Sequence, residues 1–424
     1  MKQGLKFQCL GAGLEVGRSS FLLDSGDKLL LDDGIKLGTE KTEFPLKPAS
    51  NLDAVIISHA HLDHSGNLPS LFSNNHSMAF MTPATLEISK LLWFDSLKIA
   101  GLEGFDSGYS KEDVSKLERF TFQIGYKNHV QVAQNTALEF YDAGHISGSA
   151  LTKLYLPSGK TLLYTGDFNA AETRLYHKAD LKCGKIDYLI MESTYGDRNH
   201  PPRLQTEKAF AESVIETLDN GGHALVSAFA VGRSQELIDV LEERKLNVPV
   251  YLDGMGQKAA RIMLDYPSLL KNPKFLKKAL LKARWVKNEA MRSKALKEPS
   301  VIVTTSGMLQ GGPVLYYLKK LYNDERSRLF LTGFQVEGTP GRTLLDTGRI
   351  EVDRELLQVR MKVEKYDFSA HSDHDCLLHT VEKLSPEKIV LVHGDAQVVQ
   401  AFQKELHSKG FEVFAPRTGE ELVL

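Results

Sequence analysis

Residues 53–66 read Asp-Ala-Val-Ile-Ile-Ser-His-Ala-His-Leu-Asp-His-Ser-Gly. The apolar run near the start predicts a short buried strand, which leads directly into histidines and an aspartate. His59 and His61 are separated by one residue, so their imidazoles can converge on one point, while Asp63 and His64 can face a second point nearby. Imidazole and carboxylate groups suit zinc and similar divalent ions, with about three or four protein ligands per metal in catalytic sites. A loop whose histidines only cap neighbouring groups would not concentrate so many of them, and the segment therefore predicts a metal centre.

The composition limits the classes of protein to consider. A chain of 424 residues has room for about two or three domains. The net charge of −2 argues against a globally basic nucleic-acid binder, although local basic patches remain open. Cys9, Cys183 and Cys376 have no paired spacing, which argues against a disulfide framework and a cysteine-ligated zinc. We find neither a signal-peptide pattern nor an apolar run long enough to span a membrane, so we expect a cytoplasmic protein without membrane contact.

Further residues of metal-ligand type follow other predicted strands. Three short apolar runs near the N-terminus predict an antiparallel meander, and the third run ends at Asp32. Later strands end at His145, Asp167 and Glu192. For any one of these residues, a polar side chain that starts a loop is the plain alternative. Because strand ends along one sheet edge bring distant residues together, we expect these residues to gather with His59.

From about residue 199 the pattern changes to helices that alternate with short apolar strands. This alternation is the signature of a parallel sheet with crossover helices. The chain then returns to histidine-containing loops around His371 and His393, and His393 again follows an apolar strand. The simplest organisation is a metal-binding domain interrupted by an α/β insert. The predicted boundaries are 1–198 for the first part of the metal-binding domain, 199–362 for the insert and 363–424 for the C-terminal part.

These motifs resemble those of the metallo-β-lactamase superfamily. Residues 59–64 are similar to its HxHxDH motif, while Asp32, His145 and Asp167 occupy places similar to its first, third and fourth motifs. These marks are shared by hydrolases that act on many different substrates. They imply the metal chemistry without specifying what is hydrolysed.

A narrower resemblance is to the β-CASP family of metallo-β-lactamase-fold ribonucleases. It is carried by Glu192 before Ser-Thr-Tyr-Gly, by His371 in Phe-Ser-Ala-His-Ser-Asp and by His393 in Leu-Val-His-Gly. The resemblance covers nearly the whole chain and extends to the endonuclease subunit of the cleavage and polyadenylation machinery and its short prokaryotic relatives. It implies an α/β fold: an αββα metallo-β-lactamase sandwich with an inserted α/β β-CASP domain, whose parallel sheet is flanked by helices.

The resemblance also implies two Zn²⁺ ions and a division of roles. One zinc would be bound by His59, His61, His145 and Asp167. The other would be bound by Asp63, His64, Asp167 and His393. His371 would donate a proton to the leaving oxygen, and Glu192 would orient and charge that imidazole. Asp32 would orient a ligand or the attacking water rather than bind metal.

Contacts with the phosphates of RNA are expected from loops that look familial. They are Arg233, Ser306, Arg342, Ser369 and Ser372. For Arg233 and Arg342, a structural role is nearly as well supported by the sequence. A separate basic stretch, residues 271–287, contains Phe275 and Trp285 among its lysines and arginines. That stretch fits either an RNA track or a solvated helix face.

The expected function is that of a zinc-dependent ribonuclease. A hydroxide activated by two metals would attack phosphorus and leave 5′-phosphate and 3′-hydroxyl ends on the RNA. Endonuclease activity is expected, with 5′–3′ exonuclease activity left open. The alternatives are a small-molecule metallo-hydrolase of thioesterase or lactamase type and a non-catalytic RNA-binding scaffold. RNA is the expected partner, and both a homodimer and RNA-processing partner proteins remain open.

Overall fold

The computed structural model describes residues 4–37, 42–48, 51–73, 77–104 and 106–424. The chain forms two compact units. The first, here called the sandwich unit, comprises Met1–Glu172, Tyr176–Asn199 and Ala370–Leu424. The second, here called the insert unit, comprises Thr173–Leu175 and His200–Ser369. Within the described ranges, no helix combines the length and the apolar character that crossing a bilayer requires.

The helices and strands follow one another along three stretches of chain. The first stretch contains β1 Lys6–Gly11, β2 Ser20–Asp24, β3 Lys28–Leu31, β4 Lys36–Leu37, β5 Thr42–Glu43, β6 Ala54–Ile56, α1 Leu62–Ser65, α2 Leu68–Leu71, β7 Met78–Met81, α3 Pro83–Glu103, α4 Lys111–Arg119, β8 Thr121–Gln123, β9 Val130–Gln131, β10 Ala137–Asp142, β11 Ala150–Tyr155, β12 Thr161–Tyr164 and β13 Tyr188–Glu192. The insert contains α5 Arg203–Asp219, β14 Ala224–Ser227, α6 Arg233–Glu243, β15 Val250–Asp253, α7 Gly256–Asp265, a 3₁₀ turn Pro267–Leu269, α8 Pro273–Lys282, β16 Arg284–Trp285, α9 Glu289–Ala295, β17 Val301–Thr304, α10 Pro313–Leu321, β18 Arg328–Leu331, α11 Pro340–Thr347, β19 Arg349–Val352, β20 Glu355–Gln358 and β21 Lys362–Lys365. The last stretch contains α12 His374–Leu384, β22 Lys388–Val392, α13 Ala396–Ser408, β23 Glu412–Phe414 and β24 Glu421–Val423.

Two large sheets form the centre of the sandwich unit. Among the described residues, the first has the strand order β24-β1-β2-β3-β6-β7-β8, and the second has the order β23-β22-β13-β12-β11-β10-β9. Strands β1, β2 and β3 pair antiparallel, as the N-terminal meander was predicted to do. Strands β6, β12, β13 and β22, which lead into loops of the site, each have at least one parallel neighbour, whereas β10, which precedes His145, pairs antiparallel with β9 and β11.

The layers of the sandwich follow from the alternation of side chains along each strand. On β2, Phe21 belongs to the apolar core between the sheets, while Leu22 belongs to the core beneath α3 and α4. The second sheet has a matching outer core, in which Leu391 of β22 packs with Val381 of α12 and Phe402 of α13. The order helix, sheet, sheet, helix is the αββα sandwich, which confirms the expected fold class.

The insert unit is built on a parallel sheet. Its strand order is β16-β15-β17-β14-β18-β21, and every neighbouring pair is parallel. Strands β14, β17 and β18 are buried along their whole length, as expected for a sheet covered on both faces. Helices α5 and α10 pack against β14, α6 packs against β17, and α7 packs against β15. The insert unit extends to Ser369 and includes β21, which pairs with β18 at the edge of the insert sheet.

Candidate metal centre

Four side chains meet where the strands of the sandwich unit end. His59 follows β6, His145 follows β10 and Asp167 follows β12. The Nδ1 atom of His61 lies 3.1 Å from His59 Nε2 and 3.1 Å from His145 Nε2. Asp167 Oδ2 lies 3.5 Å from His59 Nε2 and 3.8 Å from His145 Nε2. One ligand atom from each of the four side chains lies within 4.8 Å of the others, so one cation could contact all of them.

A second group of four shares Asp167 with the first. Asp63 and His64 lie on the short helix α1, and His393 follows β22. Asp167 Oδ1 lies 3.2 Å from His64 Nε2 and 3.5 Å from His393 Nδ1, while His393 Nε2 lies 3.3 Å from Asp63 Oδ2. These ligand atoms also lie within 4.8 Å of one another. The seven residues predicted as ligands are therefore brought together in two groups joined by Asp167.

The loop between β6 and α1 is held by close backbone contacts. The carbonyl of Asp63 accepts a hydrogen bond from Ser19 N at 2.7 Å, and that of His64 accepts one from Asp33 N at 2.9 Å. A Cβ atom at Gly34 would overlap the backbone of Asp63 and His64. A glycine at this position thus lets two loops approach closely enough to fix the ligands.

Hydrogen bonds on the outer side of the imidazoles set which nitrogen faces the centre. His145 Nδ1 donates to the carbonyl of Ala370 at 2.9 Å, because a carbonyl can only accept. The hydroxyl of Ser58 donates to the Asp32 carboxylate at 2.7 Å, so His59 Nδ1 donates to Ser58 Oγ at 3.1 Å. In both histidines the Nε2 lone pair is left pointing into the group, as a metal ligand requires.

Asp32 belongs to neither group of ligands and is fully buried beside them. Its carboxylate accepts hydrogen bonds from Ser58 N at 2.6 Å, from Tyr164 OH at 2.6 Å and from His64 Nδ1 at 2.7 Å. The two nitrogens of His64 thus face two different carboxylates, Asp32 at Nδ1 and Asp167 at Nε2. Ser58 and Tyr164 were not singled out from the sequence, nor was Thr194, whose hydroxyl lies 3.2 Å from His393 Nδ1. No local pattern marks these three residues, since their roles depend on contacts across the fold.

The electrostatics of the first group favour neutral imidazoles. Burial lowers the pKa of His59 and His145 well below the usual range, and it also lowers the pKa of His61. Neighbouring imidazoles, including His64 and His371, add to this effect. A neutral imidazole keeps a lone pair for a metal, so no proton has to be displaced when a cation binds here.

The second group is dominated by its carboxylates. Burial opposes a charge on His64, but Asp167 and Asp32 outweigh it and raise its pKa well above the usual range. Burial likewise opposes a charge on Asp167, but His64 and His393 lower its pKa well below the usual range. The site thus favours positive charge beside Asp167, which a proton or a metal cation can supply.

The geometry fits divalent metals. Ligands in a tetrahedron with Zn–N bonds of ~2.0–2.1 Å lie ~3.3 Å apart, close to the 3.1 Å between the imidazole nitrogens around His61. Asp167 Oδ1 is buried and accepts no well-aligned hydrogen bond among the described residues, although two imidazole nitrogens lie nearby. A buried carboxylate oxygen of this kind is expected to have a partner, and a shared metal would provide one.

His371 and Glu192 form a pair next to the shared aspartate. His371 Nδ1 lies 3.0 Å from both carboxylate oxygens of Glu192, and His371 Nε2 lies 3.9 Å from Asp167 Oδ2. Burial alone would lower the pKa of His371, but Glu192 and Asp167 outweigh it and raise the pKa to about 9. Phe168 N donates to the same Glu192 carboxylate at 3.0 Å, which fixes it in place.

The residues expected to contact phosphates have varied surroundings. Arg233 is buried at 8% exposure and forms an ion pair with Glu236. Arg342 is exposed and pairs with Asp346 at 2.8 Å in the next turn of its helix. The burial of Arg233 and its ion pair with Glu236 fit a structural role, which the sequence also allowed.

Two of the three serines in that set bond the backbone through their hydroxyls, and the third takes part through its own backbone carbonyl. Ser306 Oγ donates to the Gly311 carbonyl at 3.2 Å, and the Ser369 carbonyl accepts from Arg203 Nη1 at 3.0 Å. Ser372 has no exposed surface, and its hydroxyl donates to the carbonyl of Phe168 at 3.2 Å. A phosphate contact by Ser372 does not fit this burial. Instead, Ser372 holds the turn that follows Asp167.

Comparison with known protein families places three profiles along the chain. The Beta-Casp domain profile matches residues 235–344, within the insert unit. The profile described as a Zn-dependent metallo-hydrolase RNA specificity domain matches residues 356–416. The profile of the anti-Pycsar protein Apyc1 matches residues 6–219, which include the loops that carry most of the candidate ligands.

Several relatives align with almost the whole chain. The chain is 39% identical to the probable RNase MJ4 of Methanocaldococcus jannaschii, over 97% of this chain and 98% of the relative. It is 37% identical to RNase aCSPSF2 of Saccharolobus solfataricus, over 98% of this chain and 84% of the relative. It is 34% identical to the transcription termination factor FttA of Methanosarcina mazei, over 96% of this chain and 69% of the relative.

A solved structure shares the fold along the length of the chain. A protein of unknown function from Enterococcus faecalis superposes with a TM-score of 0.60 at 14% identity, covering 99% of this chain and 100% of that one. That likeness concerns the fold alone. The profiles and the relatives give the same answer as the motifs. The chain belongs to the β-CASP family of metallo-β-lactamase-fold ribonucleases, which are metal-dependent enzymes that hydrolyse RNA.

Proposed function

We propose that this protein is a ribonuclease that uses two Zn²⁺ ions. The observation that carries the proposal is the arrangement of two ligand groups around one shared carboxylate, Asp167, with the His371–Glu192 pair beside it. His59, His61, His145 and Asp167 would hold one ion. Asp63, His64, Asp167 and His393 would hold the other. When bound, two such ions lower the pKa of a water molecule and offset negative charge on the scissile phosphate.

The chain supplies the remaining steps. Glu192 accepts from His371 Nδ1 and so holds the imidazole with Nε2 turned away from it. His371 Nε2 would carry the proton for the leaving 3′ oxygen, and the raised pKa keeps that proton available at neutral pH. The products would be RNA fragments with a 3′-hydroxyl on one and a 5′-phosphate on the other.

We further propose that Asp32 has a positioning role. It holds His64 through Nδ1, so that Nε2 of His64 faces Asp167. Tyr164 and Ser58 hold Asp32 in turn. Loss of Asp32 would therefore weaken metal binding without removing a ligand. This effect is usual for residues that hydrogen-bond to metal ligands and orient them.

The cut is proposed to be endonucleolytic, with 5′–3′ exonuclease activity as a second mode. The test is incubation of a long RNA labelled at either end, followed by analysis of product lengths and end groups. Internal fragments that carry 5′-phosphate support endonuclease activity, while release of mononucleotides from the 5′ end supports the second mode. Hydrolysis of thioesters or lactams with no cleavage of RNA would contradict the proposal.

A matched control keeps this experiment specific. His379 lies on α12 in the same part of the chain as His371 and is exposed. His379→Ala should cleave RNA as the unmodified protein does, whereas His371→Ala should not. Equal activity of the two variants would contradict the assignment of His371 as the proton donor.

A further inference from the structure

The insert unit contains a pocket of about 660 Å³ beside strands β15 and β16. This volume lies within the range of ~300–1,000 Å³ that small-molecule sites occupy. Aromatic and aliphatic side chains line part of it, including Tyr251 and Trp285. The remaining lining side chains are cationic: Arg261, Arg284, Lys287 and Lys294.

The charge of this pocket is not balanced by the protein. None of the described side chains that line it is a carboxylate. Throughout the described part of the chain, no salt bridge is found for any of its four cationic side chains. Nearby lysines differ, because Lys278 and Lys282 on α8 both pair with Glu242. The basic stretch 271–287 thus divides into a helix face that is partly neutralised and a pocket wall whose charge is left for a ligand.

The aromatic side chains of the pocket are combined with its arginines. The guanidinium carbon of Arg261 lies 5.0 Å from the centre of the Trp285 ring, and that of Arg284 lies 5.7 Å from the Tyr251 ring. Trp285 Nε1 donates to the Leu280 carbonyl at 2.8 Å, so the ring has a fixed orientation. Ordered aromatic rings and arginine planes of this kind are the surfaces on which nucleobases stack.

We propose that this pocket binds a nucleotide, with its base stacked against Trp285 and Arg261 and its phosphate held by Lys287 and Lys294. An acidic peptide would use the cations but not the aromatic surface. Inorganic phosphate would likewise leave the rings uncovered. The nucleotide can belong to an RNA chain or be free, and the choice of RNA as its source rests on the proposed ribonuclease function.

Tryptophan fluorescence reports directly on the pocket. The chain contains 2 tryptophans. Trp93 is fully buried and donates to the Ser65 carbonyl, while Trp285 is half-buried in the pocket. Stacking of a base should quench Trp285. We expect AMP or hexaadenylate RNA to quench the emission, adenosine to act more weakly and tripolyphosphate to leave it nearly unchanged.

Variants then separate the pocket from general attraction of RNA to basic surface. Binding of fluorescein-labelled hexaadenylate is measured by anisotropy in a His371→Ala background, in which the RNA should persist. Trp285→Ala should weaken binding about 5–100-fold, the usual effect of losing one stacked base. Lys287→Glu with Lys294→Glu should weaken it at least about tenfold.

The control makes the same charge change outside the pocket. Lys274 and Lys277 are exposed on α8 and do not line the pocket. Lys274→Glu with Lys277→Glu should change the affinity less than about threefold. Trp285→Phe keeps an aromatic ring and should bind better than Trp285→Ala. If Trp285→Ala unfolds the protein, the lysine pair and the phenylalanine variant still decide the question.

Each outcome has a definite reading. Preference for hexaadenylate over AMP supports an RNA-derived nucleotide, whereas equal binding of both supports the site and overturns RNA as the source. Equal losses in the pocket and control variants, or binding of tripolyphosphate as tight as that of AMP, would overturn the proposal. Cleavage of long RNA by the unmodified protein is measured alongside. Absence of cleavage with intact nucleotide binding would refute the ribonuclease function and leave the pocket standing.

Discussion

The Nδ1 atom of His371 lies 3.0 Å from both carboxylate oxygens of Glu192. This bond gives the imidazole one defined orientation, in which Nε2 lies on the side away from Glu192 and 3.9 Å from Asp167 Oδ2. Glu192 lies at the end of β13 and His371 just before α12, so the pair joins parts of the sandwich unit separated along the chain by the insert. The pair places a histidine–carboxylate couple beside the two groups of metal-ligand residues.

Replacement of His371 tests proton donation. His371→Ala should leave both metals bound and RNA binding largely intact, while kcat falls about 10²–10⁴-fold. The defect should shrink on an aryl phosphodiester, because that leaving oxygen is a weak base and needs no proton. Single-turnover rates on both substrates, together with zinc analysis, make the comparison. An equal loss on the two substrates with zinc retained would show that another group donates the proton.

Replacement of Glu192 tests how the pair sets the pH dependence. Glu192 and Asp167 raise the pKa of His371 to about 9, so the imidazolium form needed for donation persists into the alkaline range. Glu192→Gln removes one of these charges and lowers that pKa. The fall of kcat on the alkaline side should therefore begin at lower pH than in the unmodified protein. If the alkaline limb of the pH–rate profile is the same in Glu192→Gln and in the unmodified protein, Glu192 does not raise the pKa of His371.

Replacement of the shared carboxylate tests the joining of the two ligand groups. Asp167→Asn removes the charge that both groups use, and cleavage should become undetectable with zinc content reduced. His59→Ala removes a ligand from one group only, so it should lower zinc content less while also abolishing cleavage. Circular dichroism provides the check on folding. Near-normal turnover in either folded variant would contradict the ligand assignment.

Replacement of Gly34 tests the close approach that fixes the ligand loop. Gly34→Ala would push a methyl group into the backbone of Asp63 and His64. We expect a loss of about 1–3 kcal/mol in the free energy of unfolding, together with weaker zinc binding. Gly101→Ala is the matched control, because no atom lies near its added methyl group in α3. That change should stabilise the protein by about 0.5–1 kcal/mol, as measured by denaturant unfolding.

Much of the fold could be predicted because its signals are local. A threonine followed by a proline is a local signal for a helix start, and Thr82 before Pro83 accepts from Thr85 N at the start of α3. Residues placed just after apolar strands, such as His145 and Asp167, were expected to gather, and the strands of the second sheet bring them together. Both arguments depend on neighbouring residues and on the general geometry of sheets.

The remaining features depend on contacts that have no local pattern. Tyr164 donates a hydrogen bond to Asp32, which lies 132 positions earlier in the chain, and the sequence near either residue does not predict that bond. Ser372 lies in a loop whose sequence suggests phosphate binding. Its hydroxyl instead donates to the Phe168 carbonyl and accepts from Ala170 N, in the turn after Asp167. The division of the basic stretch likewise depends on where Glu242 lies, which only the packing of α6 and α8 determines.

The central claim is that two metal ions share Asp167. Anomalous diffraction at the zinc absorption edge, from crystals of protein purified without chelator, tests it most directly. We predict two peaks about 3.5–4 Å apart, one beside His59, His61 and His145 and the other beside Asp63, His64 and His393, with Asp167 in contact with both. A single peak, or none, in crystals of protein that cleaves RNA would contradict it.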